Sequence, residues 1–529
     1  MTMNNKKQLL ICLAALFVSG CAQRQATTMP ATQPALETTV AEVSSTRPSG
    51  TLKQQLSQIL HRLDDTGATI SARVVDLDRN RVLFADSDTR AVIPASNMKL
   101  PTSAAFLATF GKDHTFKTHL AIRKTGEFTD VYLIGTGDPG VGDDRIADWN
   151  KTNQYAVFDQ FADALKAAGI TTITGSIYYY DGAFDDVLVH PKWRRDMLSD
   201  WYAAPVSGLN LNTNCIDLIL EPAADGAPAS ITQAPPAAGY TIINKAVTGS
   251  GFTAPATQPS DPDATRQLDA PVYTATGNVT KKVTIAKPVV NPGLFFAEAF
   301  RAGMAERGIT ASGPAVRLPR IRNSTIIAPE EPAPFASPLP TDATILATYE
   351  TKLTDILKRI NKNSQNLMAE AAAKLTGQAF LAGKGYRGPG SWAAGDQAIR
   401  EFLVRSGVDA THFYAQDGSG LGRDNRITPK LMTDLLAAMK RRSDFPVWRD
   451  SLAVPGNEGT MGKRLTELEG SVFCKTGYIG GVRSLSGYIR TKSGKWVAFS
   501  FIYNEIPGSV KPYEVLQDEA VRLIHDQVR

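Results

Sequence analysis

The sequence predicts a mixed α+β protein in which one domain is interrupted by a long insertion. Three observations lead there. The chain has 529 residues, enough for more than one hydrophobic core. Both ends combine helical periods with short alternating strands, whereas the middle is dense in Ala, Pro, Thr and Gly with only brief Val/Thr/Ile runs. Prolines at 329, 332, 334, 338 and 340 then separate the middle from the end. The division that follows is a split domain at 50–115 and 336–529. The inserted β-rich region is 116–335, within which 221–290 is a candidate nested module.

Residues 1–21 belong to targeting and not to the fold. Lys6 and Lys7 precede an apolar run from Leu9 to Val18 that is too short to span a bilayer, and small residues follow. Val18-Ser19-Gly20-Cys21 resembles a bacterial lipobox, which implies that Cys21 is lipidated and heads the mature chain. Ala22 fits sorting to the outer membrane. The predicted location is exported and periplasmic, with the membrane reached only through that lipid. Residues 22–49, rich in Thr, Ala, Pro and Ser, read as a flexible tether.

Leu52, Leu56, Ile59 and Leu60 recur at helical spacing across 51–63. Residues 70–78 and 81–85 form a predicted hairpin around Asp78-Arg79-Asn80, and a helix from Ser96 runs to about 110. Strands follow at 118–122, 131–135, 175–180 and 210–220, with helices at 155–168 and 292–307. The last third reads as helices at 346–361, 364–376, 392–406 and 429–439. Strands at 472–475, 484–491 and 495–503 come next, neighbouring antiparallel members of a sheet, and a closing helix at 515–527. Cys12 falls in the leader. Cys215 and Cys474 sit in strand-like flanks and read as buried thiols more readily than as a disulfide.

Composition excludes some classes. The formal net charge is only +5, and no basic run is interleaved with aromatics, so nucleic acid is not an expected partner. Hydrophobic content of 43% with 21% charged residues is that of an ordinary globular protein. No Cys-x-x-Cys or His-Glu-x-x-His pattern occurs, and no phosphate loop, so neither metal nor cofactor is expected. His61, His114, His119, His190, His412 and His525 lie outside the motifs described next, and no Gly-x-Ser-x-Gly elbow exists, which disfavours a Ser-His-Asp hydrolase.

Chemistry concentrates in three short stretches. In Pro94-Ala95-Ser96-Asn97-Met98-Lys99, a serine and a lysine three apart share a helix face. A partly desolvated lysine can lose its proton near neutral pH and activate that hydroxyl without histidine. Ser364-Gln365-Asn366 opens a helix; its serine either caps the helix or relays a proton, and its amide can hold a substrate backbone. Lys475-Thr476-Gly477 ends an apolar strand; it offers positive charge, a hydroxyl, and a glycine that lets a substrate lie along the strand edge.

In this order the three stretches resemble the signature of penicillin-binding proteins and serine β-lactamases. The long gap between Lys99 and Ser364 is similar to that of the class C low-molecular-mass penicillin-binding proteins, the D-Ala-D-Ala carboxypeptidase/endopeptidase family S13. Gly137-Asp138-Pro139, Leu209-Asn210-Leu211-Asn212, Asn366-Leu367-Met368-Ala369-Glu370, Asp417-Gly418-Ser419-Gly420-Leu421, Arg423-Asp424-Asn425-Arg426 and Gly481-Val482-Arg483-Ser484 fit the same family. The resemblance implies an antiparallel sheet flanked by helices. It also implies acyl transfer on peptidoglycan stem peptides, with β-lactams as inhibitors. Ser96 is then the nucleophile, Lys99 its base, and Ser364 and Lys475 a proton relay to the leaving amine. Asn366 and Thr476 bind substrate, and the N–H groups of Ser96 and Tyr478 form the oxyanion hole. Asp138 either caps a turn or meets the free amine of the peptide side chain.

Two residues depart from the family pattern. Pro101 sits where the nucleophile helix should continue and would kink it unless Ser96 lies in the first turn. Tyr478 stands where a small hydroxyl residue is usual. The motifs do not separate carboxypeptidase from endopeptidase, and the sequence is silent on oligomeric state. Two rival readings survive: a slow protein that only binds peptidoglycan, and a β-lactamase or esterase on the same scaffold.

Overall fold

The computed structural model describes residues 48–249, 261–319 and 338–529. The leader, Cys21, most of the tether and most of the proline-rich connector lie outside the described residues. Among the described residues no helix is long and apolar enough to cross a membrane.

The fold is α+β. Its first sheet joins both ends of the chain in the order Val472–Ile479, Val482–Arg490, Trp496–Asn504, Thr69–Asp76, Arg81–Asp86, antiparallel throughout. Strand Trp496–Asn504 shows why it forms. Val497, Phe499, Phe501 and Tyr503 point to one core, with helices Leu52–Leu60 and Lys511–Gln527. Ala498 and Ile502 point to the other, with helices Lys99–Phe110, Asn366–Gly383, Trp392–Arg405 and Pro429–Lys440. A period of two with both faces apolar is what a central strand between two helical layers needs. Each buried large side chain contributes about 1.5–3 kcal/mol.

A second sheet runs Ala315–Arg317, Ile177–Tyr180, Phe128–Gly135, Thr115–Thr125, Thr344–Lys352, mixed parallel and antiparallel. Helices Ala156–Ala167 and Pro292–Glu306 bury Phe158, Phe161, Phe295, Phe296 and Phe300 against it. Among the described residues between Cys215 and Pro288 the chain makes only short strands in small sheets, as its composition predicts.

Some expectations change. The stretch 346–361 is not one helix: Thr344–Lys352 is a strand paired with Thr115–Thr125, and helix Leu353–Asn361 follows. The chain therefore leaves the second sheet at Lys352, not near 336. Residues 210–214 are not strand either. Asn212, Thr213 and Asn214 have φ of 51°, 54° and 53°. Asparagine side chains hold this left-handed turn: Asn214 Nδ2 donates to Asn210 Oδ1 at 2.7 Å and to Pro205 O at 2.8 Å. Strand Cys215–Glu221 begins only after it. Helices Asp144–Asn150 and Phe445–Ser451 carry no sequence expectation.

Pro101 is the third residue of helix Lys99–Phe110. Its missing N–H falls in the first turn, where no intrahelical partner is lost, so the helix continues without a break. Cys215 and Cys474 are buried and not joined in a disulfide, and burial pushes the Cys474 thiol up to about 12.

Candidate active site

Ser96 lies in the short 3-10 turn Ala95–Met98 that opens the nucleophile helix. Two close approaches fix this turn. Gly420, at φ 84°, leaves no room for a Cβ against the carbonyl of Ala95, itself at φ 48°. Asn97 Nδ2 donates to the carbonyl of Lys475 at 2.8 Å, which ties the turn to strand Val472–Ile479.

Lys99 is fully buried. Its Nζ donates to Ser96 Oγ at 3.0 Å, Asn366 Oδ1 at 2.7 Å and Ser419 O at 2.8 Å. Three acceptors match the three N–H of an ammonium. Once one proton leaves, the Ser96 contact can reverse and the hydroxyl can donate to the amine. Burial pulls this lysine down to about 7, opposed by the charges of Glu370 and Asp417.

On the other side of the cluster, Lys475 Nζ donates to Ser364 Oγ at 2.9 Å and to Thr476 O at 2.9 Å. Burial and the nearby Lys99 hold it well below its usual range. Ser364 is not the cap of helix Asn366–Gly383. Gln365 is, through its side chain and Leu367 N–H at 3.1 Å. Ser364 sits at φ 61°, a conformation that costs a non-glycine residue roughly 1–2 kcal/mol and aims its hydroxyl at Lys475. Asn366 is shared: its oxygen accepts from Lys99, and its Nδ2 donates to the carbonyl of Tyr202 at 2.8 Å.

These contacts bring five sequence-predicted residues, Ser96, Lys99, Ser364, Asn366 and Lys475, into two bonded groups that Asn97 joins. Thr476 is buried beside them and Tyr478 is 40% exposed at the strand edge. Gly477 is also closely approached by the protein itself. A Cβ there would collide with Ser484 Oγ and lie 2.9 Å from Pro94 O and 3.1 Å from Ser96 N, so the glycine lets the strand press against the nucleophile turn. Asp138 makes no bond to the cluster. It is 1% exposed, and its Oδ1 accepts from Gly140 N–H at 2.9 Å in a turn. Burial pushes its carboxyl up to about 7.

A serine bonded to a buried lysine, with a second serine–lysine pair joined to it through strand and turn, is an arrangement able to carry out acyl transfer. The D-Ala-D-Ala carboxypeptidase 3 (S13) family matches residues 52–521. The chain belongs to that family. It is a serine-type hydrolase accordingly. It is 31% identical over 498 residues to the D-alanyl-D-alanine carboxypeptidase of Actinomadura sp. (strain R39), covering 89% of this chain and 84% of that one. It is 24% identical over 459 residues to D-alanyl-D-alanine carboxypeptidase DacB of Haemophilus influenzae, covering 84% and 87%. The crystal structure of penicillin binding protein 4 from Haemophilus influenzae superposes with a TM-score of 0.70 at 20% identity, covering 89% of this chain and 98% of that one. A second structure of that protein is a β-lactam complex, with a TM-score of 0.66, 20% identity and coverage of 90% and 100%.

Glu370, Asn97 and Tyr202 carry no role in the three motifs, yet each contacts this cluster. The signal for Glu370 is its spacing: four residues after Asn366 places it on the same helix face.

Proposed function

We propose that the protein cleaves the D-Ala-D-Ala bond of peptidoglycan stem peptides through an acyl-enzyme on Ser96, at chain ends and, by the same chemistry, in cross-links. The single observation that carries this reading is the 3.0 Å bond between Ser96 Oγ and a buried Lys99 poised near neutrality. Neutral Lys99 takes the hydroxyl proton while Ser96 Oγ attacks the carbonyl between the two D-Ala residues. The N–H groups of Ser96 and Tyr478 receive the developing oxyanion, each worth about 3–4 kcal/mol. Ser364, fed by Lys475, hands a proton to the departing amine, and the bond to the terminal D-Ala breaks. Asn366 orients the peptide and Thr476 binds the terminal carboxylate. Water then releases the acyl group. Asp138 serves the turn and not the substrate amine.

A β-lactam presents its ring amide to the same serine, in keeping with the β-lactam bound in the Haemophilus relative. We further propose export with a lipid on Cys21, and a catalytic domain split around the inserted second sheet.

The protein is incubated with benzylpenicillin, weighed intact over time and digested to map any adduct. A persistent adduct on Ser96, absent in Ser96→Ala, together with release of D-Ala from a peptide ending in D-Ala-D-Ala, is the expected result. Rapid loss of both drug and adduct would move the protein to the β-lactamases. No adduct with retained peptidoglycan binding would leave the binding reading. Cys21→Ser should release the protein from the membrane fraction; if it stays, the anchor lies elsewhere.

A further inference from the structure

Glu370 stands outside the three motifs yet is fully buried, one helical turn beyond Asn366. A buried carboxylate is costly unless bonded on its lone pairs. Here Oε2 accepts the indole N–H of Trp392 at 2.7 Å and the N–H of Gly418 at 2.8 Å, and Oε1 accepts the N–H of Ser419 at 2.9 Å. The carbonyl of that same Ser419 accepts from Lys99 Nζ. Both backbone polar groups of Ser419 are therefore taken: the N–H by Glu370, the carbonyl by the lysine of the nucleophile. Thr102, on the nucleophile helix, donates its hydroxyl to Gly418 O at 2.9 Å and closes the arrangement.

We propose that Glu370 is a positioning residue for the Ser96–Lys99 couple, fixing the Gly418–Ser419 backbone against the lysine amine and setting a carboxylate across from it. The inference rests on the reading of Lys99 as the base.

The charged and titratable groups around this carboxylate come from several elements. Lys99 faces it from the nucleophile helix, and Asp417 faces it from the loop, bonded to Gly420 N–H and to Trp193. From its own helix Lys374 lies 3.7 Å over the Trp392 ring and donates to Asp185 at 2.7 Å. His190 sits edge-on to Trp392 with ring centroids 5.0 Å apart. Lys475 lies beyond Lys99. Burial and Asp417 push the Glu370 carboxyl up to about 7, and its three N–H donors work against them. Its negative charge favours the protonated lysine. Without that charge, burial acts with less opposition and the amine loses its proton at lower pH.

The test is the pH dependence of Ser96 acylation by benzylpenicillin, measured on the full chain. Glu370→Gln should move the acidic limb of the rate profile down by about one pH unit and lower the plateau about tenfold. Glu370→Asp keeps the charge and should keep the limb near its wild-type position, with a lower plateau. Trp392→Phe removes one donor but not the charge and should also keep the limb. An unshifted limb in Glu370→Gln, or an equal shift in Glu370→Asp, overturns the inference. If Glu370→Gln does not fold, the limbs of the other two variants decide it, retention supporting the inference and displacement sinking it. A wild-type protein with no adduct on Ser96 would instead defeat the reading of the site itself.

Discussion

Two buried lysines meet at this site with similar bonds and opposite electrical company. Lys99 reaches Ser96 at 3.0 Å and Lys475 reaches Ser364 at 2.9 Å, and each also donates to a backbone carbonyl. Around Lys99 stand the carboxylates of Glu370 and Asp417. Around Lys475 stand Lys99 and Arg483, with no carboxylate among the causes that act on it. The helix side can trade a proton near neutral pH because two negative charges moderate the effect of burial. On the strand side burial and the like charge of Lys99 act in the same direction and lower the amine well below its usual range. The two serine–lysine pairs thus differ less in their own bonds than in the residues that surround them.

The strongest way to break this comparison is to remove each lysine in turn. Lys99→Met should lower the acylation rate about 10²–10⁴-fold, the usual span for a general base. It should also abolish the rise of the rate with pH through about 7, the value toward which burial lowers Lys99. Lys475→Met should cost less and keep that rise. A rapid-mixing assay with a chromogenic β-lactam reads both, and a reversed order would refute the assignment.

Next in size is Gly477→Ala. A methyl there has nowhere to go between Pro94, Ser96 and Ser484. Displacing the nucleophile by even 1 Å can cost about 10²-fold. The acylation rate should fall by that order while the melting temperature changes little; a normal rate would mean that the turn and strand can part cheaply.

Asp138 sharpens the comparison from outside the cluster. Its carboxyl is buried with one backbone donor, whereas Glu370 has three N–H donors. A folded-state value raised from 3.8 to about 7 means the folded protein binds more protons than the unfolded one between those limits. Stability due to this group is therefore full below about pH 4 and declines as pH rises to about 7. Asp138→Asn should stabilise the protein by about 1–2 kcal/mol at pH 8 and leave acylation unchanged. Lost turnover on peptides with a free side-chain amine would restore the substrate role. The smallest effect is expected from Tyr478→Ser, at an exposed edge: stability within about 0.5 kcal/mol, with a changed preference among peptide substrates.

What was legible in the sequence follows from how local each signal is. Ser96 and Lys99 lie within one turn, and Lys475-Thr476-Gly477 sits on one strand, so short-range spacing sufficed. The left-handed backbone at Ser364 is imposed by tertiary contacts and leaves no mark on its own residue type. The strand Thr344–Lys352 was misread because Leu346 extends the helical spacing of Leu353, Ile356, Leu357 and Ile360 backwards; only its partner strand, over two hundred positions away, decides otherwise. At Gly477 the close approach of Pro94 and Ser484 was not legible, because both are distant in sequence. The left-handed turn at Asn212–Asn214 did carry a signal, three asparagines in five residues, that alternation of Leu and Asn masked.

The amide of Asn366 has one further consequence. Its oxygen accepts from Lys99, and its NH2 group donates to Tyr202, in the long stretch between Lys99 and Ser364. The stretch around Tyr202 thus buttresses the Ser96–Lys99–Asn366 cluster. An engineer trimming this protein to a minimal enzyme would free that side chain to rotate and lose the grip on Lys99.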